Sequence, residues 1–507
     1  MTLRARFALA LLALAGLTVP AQATWSIVVL NTKTREVCVA GATCLAGMDL
    51  IRILPVVVVG EGGASAQSVS DDTGQNRLVI WNGILAGEEP ARILDFLSKS
   101  DSIHKARQYG IVSMSGLPAT HTGDNAGKAN PDVSGIVGDW VYAIQGNVLA
   151  GDEVVFAARD ALLSTDGDMI TRVMAGMEAA RAFGGDGRCS CSLSNPDGCG
   201  SPPPGTWKSA HCAFVVLARM GDVDGVCDKG PGCANGDYYL SRQVKGIEPD
   251  PDPVLVLADK VASWRLKQAG RPDHLKSEVS PDREILPADG KTTAEVRVTL
   301  RDIEGVQLST GGATLTAEWV GDGSPTALPG AVVDHGDGTY TLPLQATAVA
   351  GRGAWHIWVD FGAVRPRLLW PPLVLPSAPP TDLFAGRKDY SVAEGGTIPF
   401  TIDRGVADAG RPYRLLASAA GSKPGFMLGG VLVPLNRDRF LEWTWNGAGP
   451  EFAGSFGVLD SDGRAEARLD LPIPAWQSLV GERLGFCAVL GPGPYDVTQA
   501  VSLRVVP

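Results

Sequence analysis

For most of its length the chain alternates short apolar runs with polar turns. Only a few stretches space their apolar residues at helical intervals. Thr24–Leu30 and Val37–Leu45 are apolar runs on either side of Asn31-Thr-Lys-Thr34, which predicts a hairpin. Leu54–Val59 and Ala64–Val69 predict a second strand pair, and Tyr109–Ser113 and Trp140–Ile144 two further strands. Within Glu89–Leu97, Ile93, Leu94 and Leu97 fall at helical spacing. Asp152 is placed to cap a helix that buries Val155, Ala158 and Leu162. Asp168 is placed to cap another, with Val173, Met177 and Ala180 on one face. Met169, Met174 and Met177 read as core packing rather than as a ligand set. Strands near Ala213–Leu217 and Tyr238–Val244 follow, then a helix near Asp252–Gln268 with Leu255, Ala258 and Leu266 on one side. The order over 24–276 is strand-rich, helical, strand-rich, helical. Two sheets sandwiched between helix layers satisfy it.

Beyond residue 276 the helical spacing disappears. Ala294–Leu300, Ala313–Trp319, Gly338–Leu344 and Ala354–Phe361 are alternating or β-branched runs between Gly/Asp turns, the texture of a β-sandwich over 277–375. Leu375–Pro380 reads as a stiff linker. Residues 383–507 alternate again at Ile398–Ile402, Tyr413–Ala417, Leu441–Trp445, Ala465–Leu471, Phe486–Val489 and Val501–Val505, which predicts a second sandwich. The expected fold class is α+β: a layered mixed domain followed by two all-β sandwich domains. Trp355, Trp358 and Trp370 are expected in core or interdomain packing rather than on a sugar-binding platform.

Composition narrows the function classes. The 507 residues carry a net charge of −11, which argues against a general nucleic-acid binder. No internal apolar stretch is long enough to span a bilayer. Residues 1–23 read as a cleaved signal peptide: Arg4 and Arg6, the apolar run Phe7–Leu17, then Ala21-Gln22-Ala23. Its removal takes away two Arg and moves the net charge to −13. A secreted, periplasmic or cell-surface location is expected. Eight of the nine cysteines (Cys38, Cys44, Cys189, Cys191, Cys199, Cys212, Cys227 and Cys233) precede residue 234, and Cys487 stands apart. In an oxidising compartment such an even cluster predicts disulfides, with metal binding as the alternative. A Cys38–Cys44 pair is disfavoured, because six residues of one strand separate them by roughly 20 Å. Asp222, Asp224, Asp228 and Asp237 concentrate oxygen ligands and are weak calcium candidates. They lack EF-hand spacing, and a solvated acidic loop is the better reading of them.

Cleavage after Ala23 would leave Thr24 first. A hydroxyl residue at a chain start holds both halves of a nucleophilic pair. Its α-amine, with a pKa near 8, takes the hydroxyl proton directly or through one water. Two other groups are candidates from their setting. Gln145 and Asn147 flank Gly146 after a predicted strand, and either stabilise an oxyanion or close a structural turn. Asp186 and Arg188 follow Gly184-Gly185, and either fix a substrate amine or carboxylate or form a local ion pair.

The motifs Thr24-Trp-Ser-Ile-Val-Val29, the Val37–Cys44 strand, Arg107-Gln-Tyr-Gly-Ile-Val112, Gln145-Gly-Asn-Val-Leu149, Gly184-Gly-Asp186 and Asp250-Pro-Asp-Pro253 occur in that order. Together they resemble the DUF1028 family, grouped with the N-terminal nucleophile (Ntn) hydrolases, over roughly residues 24–270. The resemblance implies an αββα Ntn-hydrolase-like sandwich, with Thr24 as nucleophile and base. It also places Gln67 in a segment similar to the family's Ala-Thr-Gln stretch, either lining the site or facing solvent. The Cys189–Cys199 loop with Pro202-Pro-Pro204 is an insertion relative to shorter relatives, and Gly221–Asp228 and Gly232–Asp237 also carry cysteines. These segments are expected to be stapled over the rim of the site. Ile285-Leu-Pro-Ala-Asp-Gly290, Ala294–Leu300 and Asp337-Gly-Thr-Tyr-Thr341 resemble invasin-type Ig-like domains.

The expected function is an exported N-terminal-threonine amidohydrolase. It would act on a small amide or peptide-like substrate through an acyl-enzyme, without a cofactor. The competing reading is a secreted adhesion or scaffold protein, whose first domain only binds a ligand and whose β domains meet a cell surface or a protein partner.

Overall fold

The computed structural model describes residues 24–507 except 193, 363–364, 379–382, 472–476 and 492–493. Residues 1–23, expected to be a signal peptide, lie outside the described residues, as do Pro379 and Pro380 of the expected linker. The chain divides into two compact units, the first ending at Lys267 and the second running from Gln268 to Pro507.

In the first unit, strand β1 (Thr24–Asn31) and strand β2 (Val37–Thr43) form the hairpin predicted from the sequence. A one-turn helix α1 (Leu50–Ile53) leads to strands β3 (Pro55–Val58) and β4 (Gly62–Ser68). Helices α2 (Gln75–Leu85) and α3 (Pro90–Ser100) come next, followed by strands β5 (Arg107–Ser113), β6 (Ala119–Thr122), β7 (Asp132–Val137) and β8 (Trp140–Asn147). Helices α4 (Glu153–Ser164), α5 (Met169–Ala182) and α6 (Gly187–Ser190), strands β9 (Cys212–Ala218) and β10 (Leu240–Lys245), and helix α7 (Pro253–Leu266) complete the unit. Six strands form an antiparallel sheet in the order β10-β9-β2-β1-β8-β7, and four form a second in the order β3-β4-β5-β6.

The sheets face each other: β1 packs on β4 and β5, and β8 on β5. Helices α4, α5 and α7 cover the outer face of the larger sheet, and α2 and α3 that of the smaller one. Strand β1 is central and buried along its whole length. Side chains alternate across it. Val28 and Leu30 join Val39, Val57 and Val112 between the sheets, and Ile27 meets α5 at Gly176. Thr24 and Ser26 lie on the same face as Val28, so the space between the sheets turns from apolar to polar toward the start of β1.

Two helix expectations need adjustment. Helix α7 buries Val254, Leu257, Val261 and Trp264, while Leu255 and Leu266 are exposed. The buried stripe therefore runs one position off the predicted one, set by Asp252, whose side chain accepts from Val254 N at 3.0 Å, and by Pro253 in the first turn. Asp168 caps α5 as expected, accepting from Thr171 N at 3.0 Å. Asp152 begins α4 without a side-chain cap bond.

Among the described residues the second unit is all β apart from one short helix and two single 3₁₀ turns. Its first region packs the sheet of Glu278–Pro281, Thr293–Thr299, Thr339–Ala346 and Ala327–Pro329 against the sheet of Thr314–Trp319, Ala354–Asp360 and Arg367–Val374. Val296, Val298, Leu342, Trp355 and Ile357 fill the interior. Ser377–Ala378, expected in a linker, instead pairs in parallel with Leu286–Pro287. In the second region Phe400, Phe452 and Phe486 form the centre of the core. The segment Leu441–Trp445 was expected to be a strand from its alternation, but Arg439–Trp445 is a helix. Asp438 overrides the period by capping it, its side chain accepting from Leu441 N at 2.7 Å.

Candidate functional site

The polar end of the intersheet space gathers residues from β1, β4, β5 and β8. Register places Thr24 opposite Asn147 and Ser26 opposite Gln145. Gln67 on β4 is opposite Gln108 on β5. All six are buried. Gln67 Nε2 donates to the Thr24 carbonyl at 3.0 Å and to Gln108 Oε1 at 2.8 Å, while Gln67 Oε1 accepts from Ser26 Oγ at 2.6 Å. Gln145 Nε2 donates to Ser26 Oγ at 2.6 Å. Gln108 Nε2 donates to the Gly146 carbonyl at 2.9 Å and to Thr122 Oγ1 at 2.8 Å. Gln67 therefore lies inside this network rather than facing solvent.

Two backbone features shape the same corner. Ser68 and Val148 have positive φ, 76° and 52°, at the ends of β4 and β8. A β-branched residue in that region is costly and persists only where the surroundings impose it. Asn147 Nδ2 reaches Ser68 Oγ at 3.4 Å. The turn at Val148 lets Leu149 bridge to Asp186. Gly110 on β5 is the close approach, because a Cβ there would collide with the Gln145 amide. Gln145 Oε1 is itself buried without a hydrogen-bond partner among the described residues.

Asp186 and Arg188 reach this corner from the other side. Thr24 Oγ1 donates to Thr43 Oγ1 at 3.4 Å, and Arg188 Nη2 donates to the same oxygen at 3.3 Å. Asp186 is fully buried. Its carboxylate accepts from Cys44 N at 2.5 Å, from Arg188 N at 3.0 Å and from Arg188 Nη2 at 2.8 Å. So engaged, it positions Arg188 rather than offering itself to a substrate amine. The sequence-predicted residues Thr24, Gln67, Gln145, Asn147, Asp186 and Arg188 thus meet in one corner. Ser26, Thr43, Ser68 and Gln108 belong to it as well; Ser26, Thr43 and Gln108 lie inside the family-like motifs, but nothing local marked any of the four as a site residue. Period-2 alternation was the available clue: it puts Ser26 on the face of Thr24, and Gln108 opposite Gln67.

Among the described residues there are three disulfides: Cys44–Cys189, Cys191–Cys199 and Cys227–Cys233. Cys44–Cys189 ties the end of β2 to α6, one residue from both Thr43 and Arg188. Cys38 and Cys212, counted with the disulfide cluster, are instead free and buried in β2 and β9, and Cys487 is free in the second unit. Burial raises the Cys38 thiol far above its usual range, with the Glu36 charge adding to it. Burial pushes Cys487 up to about 12.

The four aspartates of the calcium reading have other partners. Asp222 accepts from Arg219 N and Tyr239 N, each at 2.8 Å, and Asp224 from Val59 N at 3.1 Å. Burial raises the Asp224 carboxyl, which disfavours the charged ligand a cation needs. Asp228 accepts from Lys229 N at 2.7 Å, and Asp237 pairs through its backbone with Val223. Among the described residues, no three acids bring carboxylate oxygens within ligand reach of one another.

Comparison with known proteins bears on both units. Residues 24–194 match the model of a family of unknown function, DUF1028, and residues 273–360 match that of invasin domain 3. No curated protein matches the chain. Among solved structures, a DUF1028-family protein from Silicibacter pomeroyi is 16% identical with a TM-score of 0.35, covering 48% of this chain and 88% of that one. The Escherichia coli adhesin FdeC is 13% identical with a TM-score of 0.20, covering 79% and 92%. The Yersinia pseudotuberculosis adhesin InvE is 15% identical with a TM-score of 0.19, covering 46% and 60%. Three disulfides and an invasin-type region fit an extracellular or cell-surface protein, and no helix among the described residues is long and apolar enough to cross a membrane. The first unit carries a DUF1028 region over 24–194 and the second an invasin domain 3 region over 273–360.

Proposed function

We propose that the first unit is an exported Ntn-type amide hydrolase whose nucleophile is Thr24, exposed as a chain start by removal of residues 1–23. The observation that carries this reading is the position of Thr24. It opens the central strand, and its hydroxyl is set against Thr43, its carbonyl is held by Gln67, and Asn147 lies directly across the ladder. A nucleophile on a rigid strand supported by buried partners is pre-organised. The α-amine accepts the Thr24 hydroxyl proton as Oγ1 attacks an amide carbonyl. Asn147 supplies an amide donor toward the developing oxyanion. Collapse of the tetrahedral adduct breaks the C–N bond, and the proton passes to the departing amine. Water then hydrolyses the acyl ester and restores Thr24. Arg188, held by Asp186, positions the Thr43 hydroxyl and contributes positive charge to the rim.

The reading is tested by N-terminal sequencing and intact mass of the exported chain, followed by turnover of small acyl amides. A chain beginning at Thr24 that hydrolyses an amide, and loses that activity as Thr24→Ala, supports it. A chain beginning elsewhere overturns it. The invasin domain 3 match favours a second role for the other unit: adhesion, with the β regions meeting a cell-surface or protein partner.

A further inference from the structure

Cys44, Cys189 and His211 bring two sulfurs and an imidazole nitrogen within 4.8 Å of one another, the one such group of potential metal ligands among the described residues. Each comes from a segment fixed by backbone hydrogen bonds. Cys44 N donates to Asp186 Oδ2 at 2.5 Å, Cys189 N to the Asp186 carbonyl at 3.1 Å, and His211 N to the Thr43 carbonyl at 2.9 Å. All three side chains are partly accessible, so an ion has a path to them. His211 Nδ1 is shielded from solvent without a hydrogen bond, and Glu248 Oε2 lies 3.4 Å away. A carboxylate beside a ring nitrogen is the usual way a ligating imidazole is oriented.

We propose that these three residues form a thiol-dependent site for a zinc-type divalent ion, occupied when the Cys44–Cys189 disulfide is reduced. Two thiolates and one imidazole are the soft N/S set that suits such an ion, with the fourth tetrahedral position left to water. With metal–sulfur bonds near 2.3 Å and metal–nitrogen bonds near 2.0 Å, tetrahedral ligand atoms lie about 3.5–3.8 Å apart. The two sulfurs are bonded in the disulfide and part on reduction, while the His211 ring nitrogen already lies within 4.8 Å of both. A dithiol or phosphine reductant donates two electrons to the S–S bond and leaves two thiols. Each thiol releases its proton to solvent as it binds the ion. Cys212, although next in sequence, is not part of the set: its Sγ accepts from Met48 N at 3.3 Å and faces the Gly246 carbonyl. Disulfide and metal are therefore alternative clamps between the end of β2 and α6, and the two readings of the cysteines in the sequence describe two states of one site.

The full chain is reduced with a phosphine, freed of reductant and titrated anaerobically with cobalt(II) alone. The expected result is a single cobalt per chain with thiolate-to-cobalt charge-transfer absorption, displaced by zinc, and no uptake by the oxidised chain. His211→Ala and Cys189→Ser each weaken uptake by about tenfold or more, whereas Cys191→Ser with Cys199→Ser leaves it unchanged. Near-ultraviolet circular dichroism follows the fold in every sample. The proposal is overturned if the reduced chain takes up no cobalt or if uptake survives both ligand substitutions. It is overturned equally if reduction unfolds the first unit and cobalt does not restore it. No outcome depends on amide hydrolysis.

Discussion

Between the two sheets of the first unit, Ser26, Gln67, Gln108, Gln145 and Asn147 are closed off from water together with Thr24. The equivalent space in the second unit holds Val296, Leu342, Trp355 and Ile357 in one sandwich and Phe400, Phe452 and Phe486 in the other. The second unit does bury hydroxyls, but they stitch its backbone. Thr444 Oγ1 accepts from Ala417 N at 3.1 Å, and Thr498 Oγ1 from Ala488 N at 2.9 Å. In the first unit the amides bond chiefly to one another and to the start of β1. Replacing a satisfied polar pair by hydrocarbon is close to neutral, so such a network adds little stability over an apolar filling. The second unit is filled with hydrocarbon, which serves stability. The first keeps polar groups where hydrocarbon would serve stability as well, which is the pattern expected when a site has to be held in place.

On the proposed hydrolase function, the largest effect that separates the two units is on turnover. Thr24→Ala, or a single residue added before Thr24, should lower amide hydrolysis by about 10⁴-fold or more while leaving the thermal transitions in place. Phe486→Ala in the second unit should do the reverse, costing about 3–5 kcal/mol in that unit with no change in turnover. Denaturant titrations that resolve the two units, run beside the assay, check both. If Phe486→Ala silenced hydrolysis, the units would not be functionally separate.

The disulfides give the next contrast. Cys44–Cys189 closes a sequence separation of 145 residues and Cys191–Cys199 one of 8. On the chain-entropy estimate, their removal costs about 5 and about 2.5 kcal/mol respectively. Double Ser variants of each pair, melted under non-reducing conditions, should therefore rank in that order. Gln67→Leu is expected to be milder, about 1–3 kcal/mol, since it removes the acceptor of the Ser26 hydroxyl proton and a donor to Gln108 Oε1 and to the Thr24 carbonyl in a closed space. Calorimetry should show the loss in the first unit only. An unchanged first transition would mean that water already serves those groups.

The contrast between the units was partly visible in the sequence. Alternation over Ala294–Leu300 and Gly338–Leu344 announces a sandwich because one face of each strand meets solvent. In β1 both faces are buried, so Ile27–Leu30 reads as a continuous apolar run, and Thr24 stands out only through the expected cleavage point and the family resemblance. Gln67, Gln145 and Asn147 could be named from local motifs, but Ser26, Thr43, Ser68 and Gln108 join them only through pairings that span dozens of residues. Helix α2 was missed because Gln75–Leu85 scatters its buried residues, Asn76, Arg77, Ile80, Trp81 and Ile84, among polar ones. Arg439–Trp445 was misread because Leu441, Trp443 and Trp445 satisfy period 2, and the capping Asp438 decided between the two. Of the disulfide pairing only the exclusion of Cys38–Cys44 was legible, since a bond across 145 residues depends on the completed sheet.

The smallest expected effect is on acid stability, and it too differs between units. In the first, the His104 and His121 rings stack with centroids 3.8 Å apart beside Tyr109 and the buried Asp101–Arg107 pair. Burial, then the neighbouring His121, lowers the His104 pKa. Asp101 opposes that shift and Arg107 reinforces it. A histidine whose folded pKa lies below its unfolded value binds fewer protons in the native state. Stability is therefore lost as pH falls below about 6.5, until the folded pKa is passed. His104→Gln removes that proton uptake from the unfolded chain and should flatten the fall between pH 7 and pH 5, by about 1–3 °C in the first unit's melting temperature. His211, also lowered by burial, keeps a residual slope there. The second unit has His356, lowered by burial against the opposing Glu318 charge, and its acid slope should not respond to His104→Gln. Hydrogen exchange at β5 and β6 against pH locates the effect. An equal change in both units would place its origin outside the stacked pair.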